Sequence, residues 1–280
     1  MKEKKEKKKR KIKWWYYVID IILIFIICNP CLKTVHYTVE SKMIDTPIKV
    51  ALLTDLHGSW YGKEQWELIK AIDKEKPDVV LLGGDIFDDN VSYKESEETV
   101  SILAQKYDCY YVTGNHEFWS EDIENILEII QSYGVTVLSG EIVTVDIKGQ
   151  KVNLSGVDDP DSSFYGGRNT DILKQLEQIE EQRNKEYYSI LLSHRPEYYS
   201  QYSRYGHDLT LCGHAHGGQW RIPGILNGLF APNQGLFPQY AGGLYEYEGG
   251  AMIVSRGLDR WGIKLPRIFN RPELVIVEVK

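Results

Sequence analysis

Five short apolar runs in this chain each lead into residues of metal-binding type, and that repetition constrains the fold more than any other feature. IKVALLT (48–54) runs into Asp55-Leu56-His57. DVVLLGG (78–84) runs into Asp85, with Asp88 three residues on. CYYVTG (109–114) leads to Asn115-His116-Glu117. YYSILLSH (187–194) ends in His194, and DLTLC leads to Gly213-His214-Ala215-His216. Each run has strand length, and ligands gather outside the carboxyl ends of strands in open α/β sheets. Between the first runs lie segments of helical spacing: 64–75, with Trp66, Ile69 and Ile72; 93–107; and 120–134, where Ser120 reads as an N-cap and Gly134 as the stop. Three βα units in series predict a layered α/β domain. After Gly134, VTVLSG, EIVTVDI and KVNLSGV predict a β-rich stretch. A helix is expected over 171–183, loops and hairpins from Gly213, and a closing strand at ELVIVEV.

The net charge of −7 hides a split. Residues 1–32 hold nine Lys/Arg and three Asp/Glu, whereas residues 33–280 hold 24 and 37. The acidic main body argues against nucleic-acid binding, which depends on Lys/Arg neutralising phosphates. Hydrophobic residues at 42% and charged residues at 26% exclude a mainly disordered chain and a polytopic membrane protein. Four cysteines exclude a disulfide framework; Cys109 and Cys212 read as buried free thiols, and Cys28 and Cys31 fall in no motif.

The basic block at 2–13 is followed by WWYYVIDIILIFIIC (14–28), with Trp14 to Tyr17 placed as an aromatic interface belt. No small residue precedes a cleavage point in Phe25-Ile26-Ile27-Cys28, so the expectation is an uncleaved signal anchor. The expected organisation is a basic cytoplasmic tail at 1–13, a transmembrane helix at 14–32, a linker at 33–46 and a catalytic domain at 47–280. The positive-inside bias puts the N-terminus in the cytoplasm and the domain outside the cell membrane.

Asp55, His57, Asp85, Asn115, His194, His214 and His216 offer oxygen and nitrogen donors and no thiolate, a set suited to zinc, manganese or iron. The alternation in D-L-H and H-A-H points paired side chains the same way along an extended segment. His36 and His207 match no motif and are set aside.

The ordered set D-x-H, G-D-x-x-D, G-N-H-E, a lone His and G-H-x-H resembles the calcineurin-like metallophosphoesterase family, over essentially all of the chain after Pro47. The resemblance implies a four-layer αββα sandwich of two mixed β-sheets flanked by helices. It implies one metal held by Asp55, His57, Asp85 and His216, and another by Asp85, Asn115, His194 and His214, with Asp85 bridging. It makes His116 the catalytic histidine, touching substrate, and Asp88 and Glu117 orienting residues. The implied reaction is hydrolysis of a phosphodiester or pyrophosphate bond by a hydroxide held between two divalent ions of manganese, zinc or iron.

GHAHGGQWRIPG (213–224) and VSRGLDRWGIKLPRIFNRPEL (254–274) resemble a bacterial subgroup of membrane-associated or exported phosphoesterases. Its members act on small phosphodiesters or cleave the pyrophosphate of UDP-diacylglucosamine, which leaves the substrate open. A non-catalytic scaffold of the same fold is the alternative, and the complete ligand set with His116 argues against it. The apolar stretch 225–240 reads either as hairpins packed on the core or as a rim for an amphiphilic substrate presented from the membrane. Arg256 and Arg271 read either as phosphate holders or as ordinary ion-pair partners. The expected partners are a phosphoester substrate and the membrane, without nucleic acid, and the expected state is a monomer.

Overall fold

The computed structural model describes residues 2–165, 171–260 and 266–280, with side chains from Trp14 onward. In chain order it contains helix α1 (Lys2–Ile27), strands β1 (Lys33–Val39) and β2 (Ile48–Leu53), α2 (Trp66–Glu75), β3 (Val79–Gly83), α3 (Lys94–Ala104), β4 (Cys109–Val112), α4 (Asn115–Trp119) and α5 (Ile123–Ser132). There follow β5 (Thr136–Val137), β6 (Glu141–Ile147), β7 (Gln150–Gly156), α6 (Ser162–Tyr165), α7 (Ile172–Gln182), β8 (Tyr188–Leu192), α8 (Tyr199–Arg204) and β9 (Leu209–Cys212). The remainder is β10 (Phe230–Ala231), β11 (Gly235–Leu236), β12 (Gly243–Tyr247), β13 (Gly250–Val254) and β14 (Glu273–Val279).

Two six-stranded sheets carry the fold, in the orders β1-β14-β2-β3-β4-β5 and β12-β13-β9-β8-β7-β6. Both are mixed. In the first, β14 runs antiparallel to β2, while β2, β3, β4 and β5 are parallel neighbours. In the second, β13, β9, β8 and β7 are parallel, and β12 and β6 flank them in the opposite sense.

Period-two alternation explains the layers, since successive strand side chains point to opposite faces. Ile48, Val50 and Leu52 of β2 join Ile190 and Leu192 of β8 and Leu209 and Leu211 of β9 in one core between the sheets. The alternate residues Ala51 and Leu53 pack outward on α2, α3 and α5 through Leu68, Ile72, Leu103, Ile126 and Ile130. On the far side, Leu191, Cys212 and Met252 pack on Ile172, Leu176 and Ile179 of α7 and Tyr202 of α8. The result is helices, sheet, sheet, helices, as the family resemblance implies. Cys109 and Cys212 are buried free thiols.

Three expectations change. The stretch read as a linker at 33–46 contains β1, which pairs along its whole length with β14 and is therefore part of the sheet. Its signal was hidden because both ends of a parallel edge pair lie far apart in sequence. Ser120 does not cap α5. Its N–H donates to His116 O at 3.1 Å, ending α4, and the residue preceding α5 is Asp122. The short helix α4 sits where the third strand was expected to run straight into its ligands.

The apolar part of α1 is also shorter than expected. The helix ends at Ile27, and the carbonyls of Pro30, Cys31 and Leu32 accept hydrogen bonds from Arg260 and Arg271. Its 14 residues from Trp14 rise only about 21 Å, against a hydrocarbon core of about 30 Å. Among the described residues, no helix is long and apolar enough to cross a membrane.

Candidate metal centre

Each candidate ligand leaves the carboxyl end of a parallel strand. Asp55 and His57 follow β2, Asp85 follows β3, and Asn115 and His116 follow β4. From the second sheet, His194 follows β8, and His214 and His216 follow β9. The loops are laced together by backbone bonds: Asp55 N–H to Gly84 O at 3.0 Å, His57 N–H to Asp85 O at 3.1 Å, and Gly213 N–H to His194 O at 3.1 Å. The seven candidate ligands, His116 not among them, converge where the two sheets meet.

The backbone there is bent to aim side chains inward. Asp55, His57, Asp85, His214 and His216 all have positive φ, between 45° and 66°. Such left-handed residues cost about 1–3 kcal/mol each and persist only where the surroundings enforce them. Glycine makes the close approach possible. A Cβ on Gly114 would lie 2.3 Å from Asp85 Oδ1, and one on Gly84 would lie 2.6 Å from His194 Nδ1.

Two clusters result, with donor atoms within 4.8 Å of one another in each: Asp55, His57, Asp85 and His216; and Asp85, His194 and His214. Asp85 is common to both. Its Oδ2 lies 3.1 Å from His194 Nε2 and 3.7 Å from His57 Nε2. Asn115 is buried beside them and lines the same cavity as Asp85 and His214.

The hydrogen bonds decide which imidazole nitrogens are free. His194 Nδ1–H donates to Gly83 O at 2.9 Å, and His57 Nδ1–H donates to Asp88 Oδ2 at 2.7 Å, so both present Nε2 inward. His214 Nε2 faces Asn233 Oδ1 at 2.9 Å and Arg195 Nη1 at 3.2 Å, and its Nδ1 lies 3.1 Å from His194 Nε2. Asp55 Oδ2, His57 Nε2 and Asn115 Oδ1 are buried without any hydrogen-bond partner. An orphaned buried polar atom costs about 1–3 kcal/mol. Three of them among converging carboxylates and imidazoles fit bound cations.

The electrostatics agree. Burial pushes the Asp85 carboxyl up, but the fields of His194, His116 and His57 hold it well below the usual range. Burial opposes protonation of His194 and His116, yet Asp85 and its neighbouring carboxylates push both up to about 10. The pocket draws positive charge to itself.

The G-N-H-E histidine, His116, belongs to neither cluster, though its ring packs edge-on against His57 with centroids 4.5 Å apart. Its Nδ1 lies 2.6 Å from Asp89 Oδ1 and 3.2 Å from Asp88 Oδ2, and its ring packs on Trp119 at 4.7 Å. Asp88 thus touches both His57 and His116, and donor atoms of these three also lie within 4.8 Å of one another. Glu117 is fully buried and accepts the N–H groups of Asp85, Ile86, Phe87 and Gly114 at 2.8–3.0 Å, fixing the Asp85 loop. His116, Asp85, Asn115, His214 and His216 open onto a cavity of about 580 Å³, walled also by Trp119, Phe230 and Pro232.

Against known proteins, the family model for calcineurin-like phosphoesterases matches residues 48–218. The chain belongs to this family. It is 31% identical to an uncharacterised metallophosphoesterase of Aquifex aeolicus over 259 residues, 89% of this chain and 92% of that one. It is 28% identical to the phosphodiesterase YaeI of Escherichia coli over 240 residues, 83% of this chain and 82% of that one. A Danio rerio transmembrane protein with a metallophosphoesterase domain is 28% identical over 83% of this chain and 53% of its own length. The structure of Haemophilus influenzae NAD nucleotidase matches the fold at TM-score 0.50 and 16% identity, covering 76% of this chain and 45% of that one.

This calcineurin-like protein is a metal-dependent phosphoester hydrolase. Its clustered Asp and His residues suit a centre of two metals. Several residues around that centre carried no usable signal in the sequence. Arg195 is buried and binds Asp159 through two nitrogens while its Nη1 donates to Asn233 Oδ1 at 2.7 Å, so it braces the partner of His214. Arg267 lies 3.4 Å from His216 Nδ1, and Asn270 donates to His216 O at 2.7 Å. Asp89 stands next to the motif residue Asp88 in sequence, and that adjacency was the one available hint. Arg256 and Arg271 are ordinary partners: Arg256 binds Asn227, Gly242 O and Glu273, and Arg271 binds the carbonyls after α1.

Proposed function

We propose that the protein is a phosphodiesterase with two divalent ions per chain, held at the outer face of the cytoplasmic membrane and acting on a phosphodiester or pyrophosphate bond. The observation that carries the two-metal reading is the pair of donor clusters sharing Asp85, with three buried atoms of Asp55, His57 and Asn115 left without a hydrogen-bond partner. Asp55, His57, Asp85 and His216 would hold one ion, and Asp85, Asn115, His194 and His214 the other. Manganese, zinc or iron fits these donors. Bound there, the ions supply Lewis acidity to the phosphoryl oxygens and to the attacking water.

The chain's own part is positioning and proton delivery. Asp88 and Asp89 hold His116 by Nδ1, leaving Nε2 for the cavity that His116 lines. A protonated His116 there can donate to the leaving oxygen, help worth about 10² to 10⁴ in rate. Glu117 and Arg195 hold the loops and His214 in register.

Diester rather than monoester chemistry is supported by the similarity to a relative named a phosphodiesterase. Membrane attachment is supported by the basic block at 2–13, the exposed apolar helix from Trp14, and relatives named transmembrane proteins. The excess of Lys/Arg before that helix supports a cytoplasmic N-terminus. Purified protein with manganese or zinc should hydrolyse bis-p-nitrophenyl phosphate faster than p-nitrophenyl phosphate, and leave single-stranded DNA intact. His116→Ala should keep both ions and lose at least about 10² in rate. Faster monoester hydrolysis would sink the diesterase reading, and a bright cytoplasmic reporter at the C-terminus would sink the topology.

A further inference from the structure

Residues 217–240 contain one charged side chain, Arg221, in a chain that is 26% charged. Large apolar side chains stand in solvent here: Ile225 is 85% exposed, Phe237 67% and Leu236 66%. The hairpins read as core packing therefore present much of their apolar surface outward.

Backbone bonds make this segment one platform from α1 to the cavity mouth. Phe269 N–H donates to Ile27 O, the last residue of α1, at 2.8 Å. Its neighbour Ile268 accepts from Arg221 N–H at 3.0 Å. Trp220 O accepts from Leu229 N–H, and Leu229 O from Phe237 N–H, both at 2.8 Å. Phe230 pairs with Leu236 and also lines the cavity. Charge follows the same division. Residues 217–272 hold six Lys/Arg and three Asp/Glu, whereas the rest of the chain from residue 33 holds 18 and 34. Residues 217–240 themselves carry no acidic side chain in this acidic body, and the nine Lys/Arg of 2–13 lead into the helix the segment adjoins.

We infer that residues 220–237, with Phe269, form a face that rests in the headgroup layer of an anionic phospholipid bilayer, so that the cavity opens at the membrane surface. The occupant is the leaflet itself. Exposed apolar surface rimmed by polar groups marks such contacts. The inference rests on the membrane-attached reading above and narrows the substrate to an amphiphilic phosphoester drawn from that leaflet.

The test uses the full chain, carrying Cys28→Ser and Cys31→Ser, in nanodiscs of phosphatidylethanolamine and phosphatidylglycerol. An environment-sensitive fluorophore is attached at Ile225→Cys or, as a control at the opposite end of β8, at Lys185→Cys. The label at 225 should shift to the blue and be quenched by brominated lipid, and the label at 185 should not. Emission at 225 as in water, with the protein bound to the disc, overturns the proposal. In a second arm, Ile225→Asp with Phe237→Asp should leave bis-p-nitrophenyl phosphate hydrolysis within about twofold and slow hydrolysis of a bilayer-embedded phosphodiester lipid at least tenfold. Equal rates on the embedded lipid overturn the proposal while leaving the diesterase reading intact. Quenching at 225 without lipid hydrolysis upholds the face and removes the amphiphilic substrate.

Discussion

A glycine decides the metal centre as much as any ligand does. The Cβ position of Gly114 lies 2.3 Å from Asp85 Oδ1 and 2.6 Å from Asp85 N, and the latter is backbone that cannot swing away. Gly114→Ala should therefore displace the shared carboxylate. The expected result is loss of bound metal, read by elemental analysis of protein purified without chelators, with the fold retained by circular dichroism. Normal metal content in that variant would show that the loop absorbs the methyl. A second residue-scale expectation concerns Asp89, whose carboxylate is the nearer of two on His116. Asp89→Asn should lower kcat by about tenfold or more, keep both metals, and cost less with the good leaving group p-nitrophenolate than with an alkoxide. Equal losses on both would remove Asp89 from proton delivery.

At the scale of elements, β1 carries the clearest prediction. As an edge strand, β1 offers alternate amides to β14, with Lys33 N–H donating to Pro272 O at one end and Ser41 N–H to Lys280 O just beyond the other, so alternate amides from 33 to 41 should exchange slowly and those between them fast. Fast exchange at every amide from 33 to 41 would return the segment to the linker that its sequence suggested. Legibility differed by element for physical reasons. The βα units and the period-two strands were readable because local apolar spacing encodes them. Edge strand β1 was not, since its partner lies some 240 residues away and it has one exposed face. The ten residues singled out from the sequence are brought to one cleft because they follow strand ends, most of them in short motifs. Arg195, Asn233 and Arg267 were not readable, because each acts through a contact that only the folded chain creates.

For the whole molecule, burial of a neutral histidine gives a pH signature separate from the metals. Burial and the field of Arg183 push His207 down to about 4. The unfolded chain takes a proton near pH 6.5 and the folded chain resists, so this stabilisation is complete above about 6.5 and is lost as pH falls toward 4. It is on the order of 3 kcal/mol. His207→Asn, which can keep the Ser189 contact, should flatten that part of the urea-unfolding profile between pH 7 and 4 relative to wild type. Parallel profiles would place the titration elsewhere.

The position of β14 has a consequence for synthesis. It is the partner of both β1 and β2, yet it arrives some 220 residues after β2 leaves the ribosome. Until then the strand that aims Asp55 and His57 has one bare edge, and the segment next to α1 has no partner at all. Long-range pairing of this kind is paid for late in folding. A chain released before Glu273 would thus carry every candidate ligand yet leave the strand that aims two of them without its outer partner, which makes the last strand the one that completes the frame around the site.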